Sequence, residues 1–199
     1  MRKQTWMYGL GFLILVCSLS IAYEGWIDRG EVALKQALVD LTNDMTIMCL
    51  AAHPDDEDGA TLTYYRKKHG VRTVILVATR GEGGQNQIGP ELYEELGVIR
   101  AYETQAAANI YGADVYNLNK RDFGYSKRAE ETFRFWGHED SLRRLVRVIR
   151  EEGYQLLHAH TPRTLLVAAL ASLVTGVPLV YELNGGLQPT RHFYLGDVP

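Results

Sequence analysis

The sequence predicts an α/β fold: a Rossmann-like three-layer sandwich with a mainly parallel sheet, preceded by an N-terminal hydrophobic helix. Two observations predict the sandwich. Short apolar runs alternate with amphipathic stretches of helical length, and glycines follow most of those stretches. A third observation, the uncharged apolar segment 7–23, predicts the hydrophobic helix.

Composition narrows the classes of protein that the chain represents. Its 199 residues and 46% hydrophobic content suffice for a buried core. A net charge of −3 argues against a nucleic-acid binder that relies on bulk charge, so we expect no nucleic-acid partner. The two cysteines are too few for a disulfide-dense scaffold.

The N-terminal segment 1–23 predicts export or membrane anchorage. Arg2 and Lys3 precede the apolar run 7–23. Such a start is typical both of a signal peptide and of an uncleaved membrane anchor, and the sequence leaves these two open. Both predict that the rest of the chain lies outside the cytoplasm, secreted or periplasmic in one case and membrane-anchored in the other.

A connector, 24–44, and a domain, 45–199, follow this segment. The connector is expected to be helical over 28–44, because its leucines and valines are spaced among charges. In the domain, strands are expected over 46–52, 71–79, 114–118, 154–157 and 178–183, and helices over 58–69, 91–111, 138–152 and 162–175. No element is recognisable in 186–199. Ligands bind at the carboxyl ends of the strands in such sheets, so we look for chemistry there.

Metal-type ligands follow the first predicted strand, in the run 53–58, which reads HPDDED. Imidazole and carboxylate groups are ligands for zinc and other divalent cations. Pro54 stiffens the turn, which favours His53 and Asp56 pointing into one site. A further carboxylate there suits a general base for a metal-activated water. The alternative, an acidic helix N-terminus, explains the acids but not the histidine.

The AHPDDE sequence, 52–57, resembles the signature of the LmbE/PIG-L family of metal-dependent N-deacetylases. Three more segments follow in the order of that family: TRGEGG at 79–84, the Arg- and Glu-bearing helix 91–112, and RDFGYS at 121–126. The resemblance runs from about 45 to 151, over half of the chain.

The resemblance implies a zinc-dependent hydrolase, with another divalent metal as the alternative. It implies that His53 and Asp56 are metal ligands and that Asp55 is the general base. The implied reaction removes an acetyl group from an N-acetylglucosamine-type conjugate by means of a metal-activated water. The implied partner is therefore a small-molecule or glycoconjugate substrate.

The same segments contain four candidate substrate-binding residues: Arg80, Asn86, Arg100 and Asp122. Each has an alternative that the sequence leaves open. The glycines of 81–84 are typical of a tight loop, and Arg100 is spaced to form a surface pair with Glu103. Asp122 is equally typical of a turn cap.

The third metal ligand of the family is a histidine in a His-rich loop after the fourth strand, and this sequence lacks that loop. It reads His158-Ala159-His160 there. We expect the two imidazoles to diverge so that only one faces the site. His160, nearer the loop, is the candidate third ligand, and a histidine packed within the strand or turn is the alternative.

Residues 153–184 carry a second resemblance, to part of the N-terminal domain of GT-B glycosyltransferases. The HAH turn, a helix of small apolar residues and the GVPLVY strand follow one another as they do there. We therefore expect the domain 45–199 to be truncated or recombined after 152. This leaves two alternative functions: a fragment of a sugar-nucleotide glycosyltransferase, and an inactive deacetylase-like relic.

Overall fold

The structure, a computed structural model, describes residues 29–84, 86–124, 128–182 and 193–194. The chain separates into two units, 1–34 and 35–199, and the first is described only over 29–34. The predicted hydrophobic segment 7–23 lies outside the described residues, so its role stays a prediction. None of the described helices is both long enough and apolar enough to cross a membrane.

The described elements alternate between helix and strand. The helices are α1 Gly30–Asp40, α2 Gly59–Thr63, α3 Glu94–Tyr111, α4 Ala129–Trp136, α5 His138–Glu152 and α6 Pro162–Thr175. The strands are β1 Thr46–Ala51, β2 Arg72–Val77, β3 Ala113–Asn117, β4 Leu156–Ala159, β5 Leu179–Tyr181 and β6 Phe193–Tyr194. A π-helical turn, Tyr64–Lys68, continues directly from α2.

The strands form a sheet in the order β3-β2-β1-β4-β5-β6. Strands β1 to β5 are parallel, and β6 pairs antiparallel with β5. Leu50 near the end of β1 is in register with Leu76 of β2 and Ala159 of β4. The loops that follow these three strands therefore leave from one edge of the sheet.

Helices cover both faces of this sheet, as the apolar clusters show. Met48 and Leu50 of β1 belong to a cluster with residues of α4, α5 and α6. Cys49 and Ala51 belong to a second cluster, with residues of α2 and α3. Successive side chains of a strand point to opposite faces, so β1 is buried on both sides. The predicted three-layer sandwich is confirmed.

Several predicted elements differ from those observed. The predicted helix 58–69 is divided into α2 and the π-helical turn, and β4 begins at Leu156, two residues later than expected. Helix α4 was not predicted, because eight residues hold too few apolar repeats to reveal a period. Strand β6 lies within 186–199, where no element was expected. Helices α5 and α6 have the predicted bounds.

Candidate metal centre

The turn after β1 brings two of the predicted metal ligands together. His53 lies two residues beyond the end of β1. Its main-chain N–H donates to Asp56 Oδ2 at 3.0 Å, and its ring Nδ1 lies 3.1 Å from the same oxygen. Asp56 N–H donates back to the His53 carbonyl at 3.2 Å, which closes the turn. His53 and Asp56 therefore present a nitrogen and an oxygen side by side at the sheet edge.

The other ring nitrogen of His53 faces Asp122, which follows β3. The distance from His53 Nε2 to Asp122 Oδ1 is 3.5 Å, and the Asp122 side chain is only 3% exposed. Asp122 also accepts hydrogen bonds from the main-chain N–H groups of Gly83 and Gly124, at 3.2 and 2.9 Å. Asp122 thus caps its own turn and fixes the glycine loop against the imidazole.

The charges of this group shift its pKa values. Hydrogen bonds to Asp122 and then to Asp56 raise the pKa of His53 to about 9, although burial acts in the opposite direction. Burial alone would raise the pKa of Asp122. The hydrogen bond with His53 and those from the Gly124 and Gly83 amides lower it below the ordinary value. Without metal, the protonated imidazole is held between two carboxylates.

The donor chemistry of this group fits a divalent metal. In a tetrahedral site with bonds of about 2.0–2.1 Å, neighbouring ligand atoms lie roughly 3.3 Å apart. The 3.1 Å from His53 Nδ1 to Asp56 Oδ2 is close to that spacing. Metal-binding histidines commonly donate their other N–H to a carboxylate, and Asp122 occupies that position.

Asp55, the predicted general base, stands beside this pair in an unusual conformation. Its φ of +89° is one that residues other than glycine seldom adopt. Arg100 of α3 donates from Nη2 to the Pro54 carbonyl and to Asp55 Oδ2, both at 2.8 Å. The Asp55 side chain is nevertheless 76% exposed. Arg100 thus holds a solvent-accessible carboxylate. This role differs from both interpretations of the sequence, which were substrate binding and a surface pair with Glu103.

A cleft of about 810 Å³ opens next to Asp122. Arg80 and Asp122, two of the predicted substrate-binding residues, line it. Arg121 and the exposed Phe135 also line it, together with the carboxylates of Glu82 and Glu94. The cleft offers guanidinium donors, carboxylates and an aromatic ring to a bound molecule.

Asn86 is a loop residue in the described structure. Its side-chain N–H groups donate to the carbonyl and the carboxylate of Glu91, at 3.2 and 3.1 Å. Its side-chain oxygen accepts from the N–H groups of Ile88 and Gly89, at 3.0 and 3.1 Å. These bonds shape the turn before α3, so direct contact of Asn86 with a substrate stays a prediction.

The buried residue Lys120 was not among the residues that the sequence predicted for the site. It follows β3 and is only 6% exposed. Its Nζ donates to the Trp136 carbonyl at 2.7 Å and forms an ion pair with Asp140. The lysine ties the loop that carries Asp122 to the junction of α4 and α5. No local pattern signals it, because a single lysine after a strand is ordinarily exposed.

His160 lies in a second group, beyond β4 and β5. His158 Nε2 and His160 Nδ1 are each 3.5 Å from Glu182 Oε2. The expectation that the two imidazoles diverge is wrong, because residues two apart along a strand point to the same face. Register pairs His158 with Val180, which places Glu182 two residues further along the same side.

This second group is more compact than the predicted ligand set. Within the ranges that the structure describes, His158, His160 and Glu182 are the residues whose ligand atoms all lie within 4.8 Å of one another. Coordination of the His53 and Asp56 metal by His160 stays a prediction. Glu182 was missed because it follows the fifth strand, far along the chain from both histidines.

This fold resembles a number of solved structures, among them the following three. The first is 4-carboxy-2-hydroxymuconate hydratase from Pseudomonas putida KT2440, with a TM-score of 0.57 and 18% identity over 70% of this chain and 66% of that one. The second is N,N'-diacetylchitobiose deacetylase from Pyrococcus horikoshii, with a TM-score of 0.51 and 20% identity over 79% of this chain and 74% of that one. The third is a deacetylase triple mutant involved in teicoplanin biosynthesis, with a TM-score of 0.53 and 15% identity over 72% of this chain and 69% of that one. The chain therefore spans about two thirds of the first of these. At such identities the likeness shows the fold, which a hydratase and two deacetylases share.

Comparison of the sequence with protein-family profiles is more specific than the comparison of folds. Residues 48–165 match the profile of the family described as GlcNAc-PI de-N-acetylase, PIG-L. The matched stretch contains the turn with His53 and Asp56, the Arg100 helix, the Asp122 loop, His158 of β4 and His160 after it. Since the match covers more than half of the 199 residues, this chain belongs to the PIG-L family.

Proposed function

We propose that this chain is a zinc-dependent hydrolase that removes the acetyl group from an N-acetylglucosamine-type conjugate. The observation that carries the proposal is the position of His53, between Asp56 and the buried Asp122, with Asp55 held beside it by Arg100. Family membership supports the reaction class, and the family's description supports N-acetylglucosamine as the acetylated sugar.

His53 and Asp56 would hold the metal in this proposal. Their nitrogen and oxygen donors suit zinc. When bound, the metal polarises the acetamide carbonyl and lowers the pKa of a water molecule. We base the proposal on these two ligands, because the predicted third ligand, His160, lies beside Glu182 in the described structure.

Asp55 would move the proton. Its carboxylate takes a proton from the attacking water as the new C–O bond forms at the acetamide carbon. The same carboxyl group then returns the proton to the nitrogen as the C–N bond breaks, giving acetate and a free amine. Arg100 aims the carboxylate, and the exposure of Asp55 leaves it open to water and substrate.

The cleft next to Asp122 would bind the sugar. Arg80 and Arg121 supply donors for hydroxyl groups, and Asp122, which also lines the cleft, lies 3.5 Å from His53 Nε2. Phe123 and Phe135 stack with ring centroids 4.4 Å apart and offer an apolar surface to a pyranose ring. Arg100 supports the site by positioning Asp55, and Asn86 supports it by shaping the loop before α3.

Localisation is part of the proposal. The apolar segment 7–23 and the basic residues before it support export or anchorage. We therefore place the catalytic domain outside the cytoplasm, secreted or periplasmic after cleavage of the segment, or membrane-anchored where the segment is retained.

Acetate release from N-acetylglucosamine glycosides tests the function. We expect the full chain to lose activity on treatment with a chelator and to regain it with zinc. His53→Gln should be inactive under both conditions, whereas the exposed His69→Gln should behave as wild type. Activity that survives chelation, or an active His53→Gln variant, would contradict the metal mechanism. A zinc-loaded wild type that releases no acetate would overturn the proposed reaction.

A further inference from the structure

We infer that His158, His160 and Glu182 form a second metal site, which binds a divalent cation of the zinc type independently of His53 and Asp56. The group gathers two imidazole nitrogens and one carboxylate oxygen within 4.8 Å. Two histidines and a glutamate are a recurrent zinc ligand set, and they leave a fourth position open for water.

The two nitrogen-to-oxygen spacings are compatible with ligands of one metal. Both distances are 3.5 Å, close to the ~3.3 Å that separates neighbouring ligands around a tetrahedral zinc. All three ligand atoms lie within 4.8 Å of one another, so one cation between them would contact both imidazoles and the carboxylate.

The three side chains of the proposed site are largely buried. The side chains of His158, His160 and Glu182 are 8%, 17% and 17% exposed. Burial of a carboxylate costs free energy unless a cation or several donors compensate. Asp58, the N-cap of α2, lies beside Glu182 and adds a second carboxylate next to the position of the cation. A metal here would join the ends of β4 and β5 to the start of α2.

The pairing of β4 with β5 brings the three ligand side chains together. His158 is in register with Val180, and Glu182 N–H donates to the Ala159 carbonyl at 3.1 Å. This bond extends the pairing of β4 and β5 past the last strand residue. The side chains at 158, 160 and 182 therefore share one face of the sheet edge.

Metal counting on the full-length protein tests the inference. Each chain is stripped with a chelator, exposed to a small molar excess of zinc, freed of unbound metal and analysed for zinc by mass spectrometry. We expect two zinc ions per wild-type chain, and one in His53→Gln/Asp56→Asn. We also expect one in His158→Gln/Glu182→Gln, and two in the control His69→Gln. Circular dichroism verifies that each variant is folded.

Two results would overturn the inference. The first is a His53→Gln/Asp56→Asn chain that is folded and holds no zinc. The second is a single zinc that is lost in both His53→Gln and His160→Gln but retained in His158→Gln and in Glu182→Gln. In that case His160 serves the first site, as the sequence predicts. Neither result depends on turnover, so failure of the second site is distinguishable from failure of the proposed deacetylation.

Cobalt substitution gives an independent measurement. Loaded with Co²⁺, the His53→Gln/Asp56→Asn chain should show visible absorption bands of a four-coordinate nitrogen and oxygen site. The bands should disappear when Glu182→Gln is added. Where Glu182→Gln alone reduces folding, the single variants His158→Gln and His160→Gln report the same loss. A spectrum identical to that of aqueous Co²⁺ would overturn the inference.

Discussion

Arg100 Nη2 donates a hydrogen bond to Asp55 Oδ2 at 2.8 Å, and the same nitrogen donates to the Pro54 carbonyl. Helix α3 thereby fixes the turn after β1 at a residue whose backbone is in an unfavourable conformation. The arginine touches the proposed base and the main chain beside it, so we regard it as a positioning residue for Asp55.

Arg100→Met should therefore lower kcat more than it changes KM. We expect a loss of about tenfold in kcat, because one charge-assisted hydrogen bond that orients the base is removed. Arg100→Lys should restore part of the rate. Steady-state kinetics at several substrate concentrations separate the two parameters. Arg143→Met, on an exposed pair with Glu139, is the matched control. A change confined to KM would place Arg100 at the substrate instead.

Asp55→Asn should abolish most of the deacetylation and leave the metal in place. A general base contributes about 10²–10⁴-fold, and the amide cannot accept the proton. Zinc content should match the wild type, since Asp55 is not one of the proposed ligands. Acetate release and metal analysis on the same preparation provide the measurement. Turnover within twofold of wild type would remove Asp55 as the base, and so would parallel loss of metal.

Sequence reasoning predicted the parts of the molecule in which local pattern decides the outcome. β1 and β2 are apolar runs that must be buried on both faces, and His53 and Asp56 meet because a short turn joins them. Contacts between residues that follow different strands could not be predicted from the sequence. Asp122 contacts His53, and Glu182 contacts both imidazoles, only because of the order of the strands in the sheet. That order cannot be derived from the sequence of any single segment.

Two failures have specific physical causes. The prediction that the HAH imidazoles diverge neglected that residues two apart along an extended backbone point to the same side. His158, in β4, and His160, just beyond it, both face Glu182. The burial of Lys120 depends on the Trp136 carbonyl, at the end of a helix too short to be recognised from its pattern.

Asp122→Asn should weaken the binding of zinc at His53 and Asp56 about 10–100-fold. Carboxylates that hold the far nitrogen of a metal-binding histidine typically contribute that much to affinity. Competition with a chromogenic chelator gives the affinity, and His158→Gln/Glu182→Gln provides a background without the inferred second site. Asp114→Asn, an exposed acid of β3 paired with Arg72, is the control. Unchanged affinity in Asp122→Asn would mean that Asp122 only caps its turn.

The stability of the metal-free chain should depend on pH through His53. The pKa of His53 is raised to about 9 in the folded protein and is about 6.5 in an unfolded chain. Protonated His53 therefore stabilises the fold fully below pH ~6.5, and this contribution is lost as the pH rises through about 9. With the ring largely buried, the contribution is at most about 3 kcal/mol.

Chemical denaturation in a chelator at pH 6 and pH 10 measures this effect. Other groups titrate in the same interval, so the informative quantity is the difference between wild type and His53→Gln. We expect the wild type to lose more free energy of unfolding than the variant between these two pH values. Identical losses would show that the imidazole is not charged between Asp56 and Asp122.

Lys120→Met should destabilise the chain and impair the site together. The substitution removes the shorter of two hydrogen bonds to the Trp136 carbonyl, and the loss of a hydrogen bond from a charged group costs about 1.5–3 kcal/mol. The carbonyl keeps the 3.4 Å hydrogen bond from Ser141 Oγ. The loop from Lys120 to Asp122 also loses its anchor to the α4 and α5 junction, so kcat/KM should fall with zinc at saturation. Thermal unfolding and steady-state kinetics measure the two effects.

Two further variants separate the anchor from simple loss of charge. Lys35→Met removes an exposed lysine of α1 and should change neither property. Asp140→Asn removes the ion pairs of Asp140 with Lys120 and with the half-exposed Arg144, and it leaves the hydrogen bond from Lys120 to Trp136. It should therefore affect stability less than Lys120→Met does. A Lys120→Met chain as stable as wild type, with normal kinetics, would contradict the anchoring role. Equal effects from Asp140→Asn would assign that role to the ion pair, because the carbonyl contact would then contribute nothing of its own.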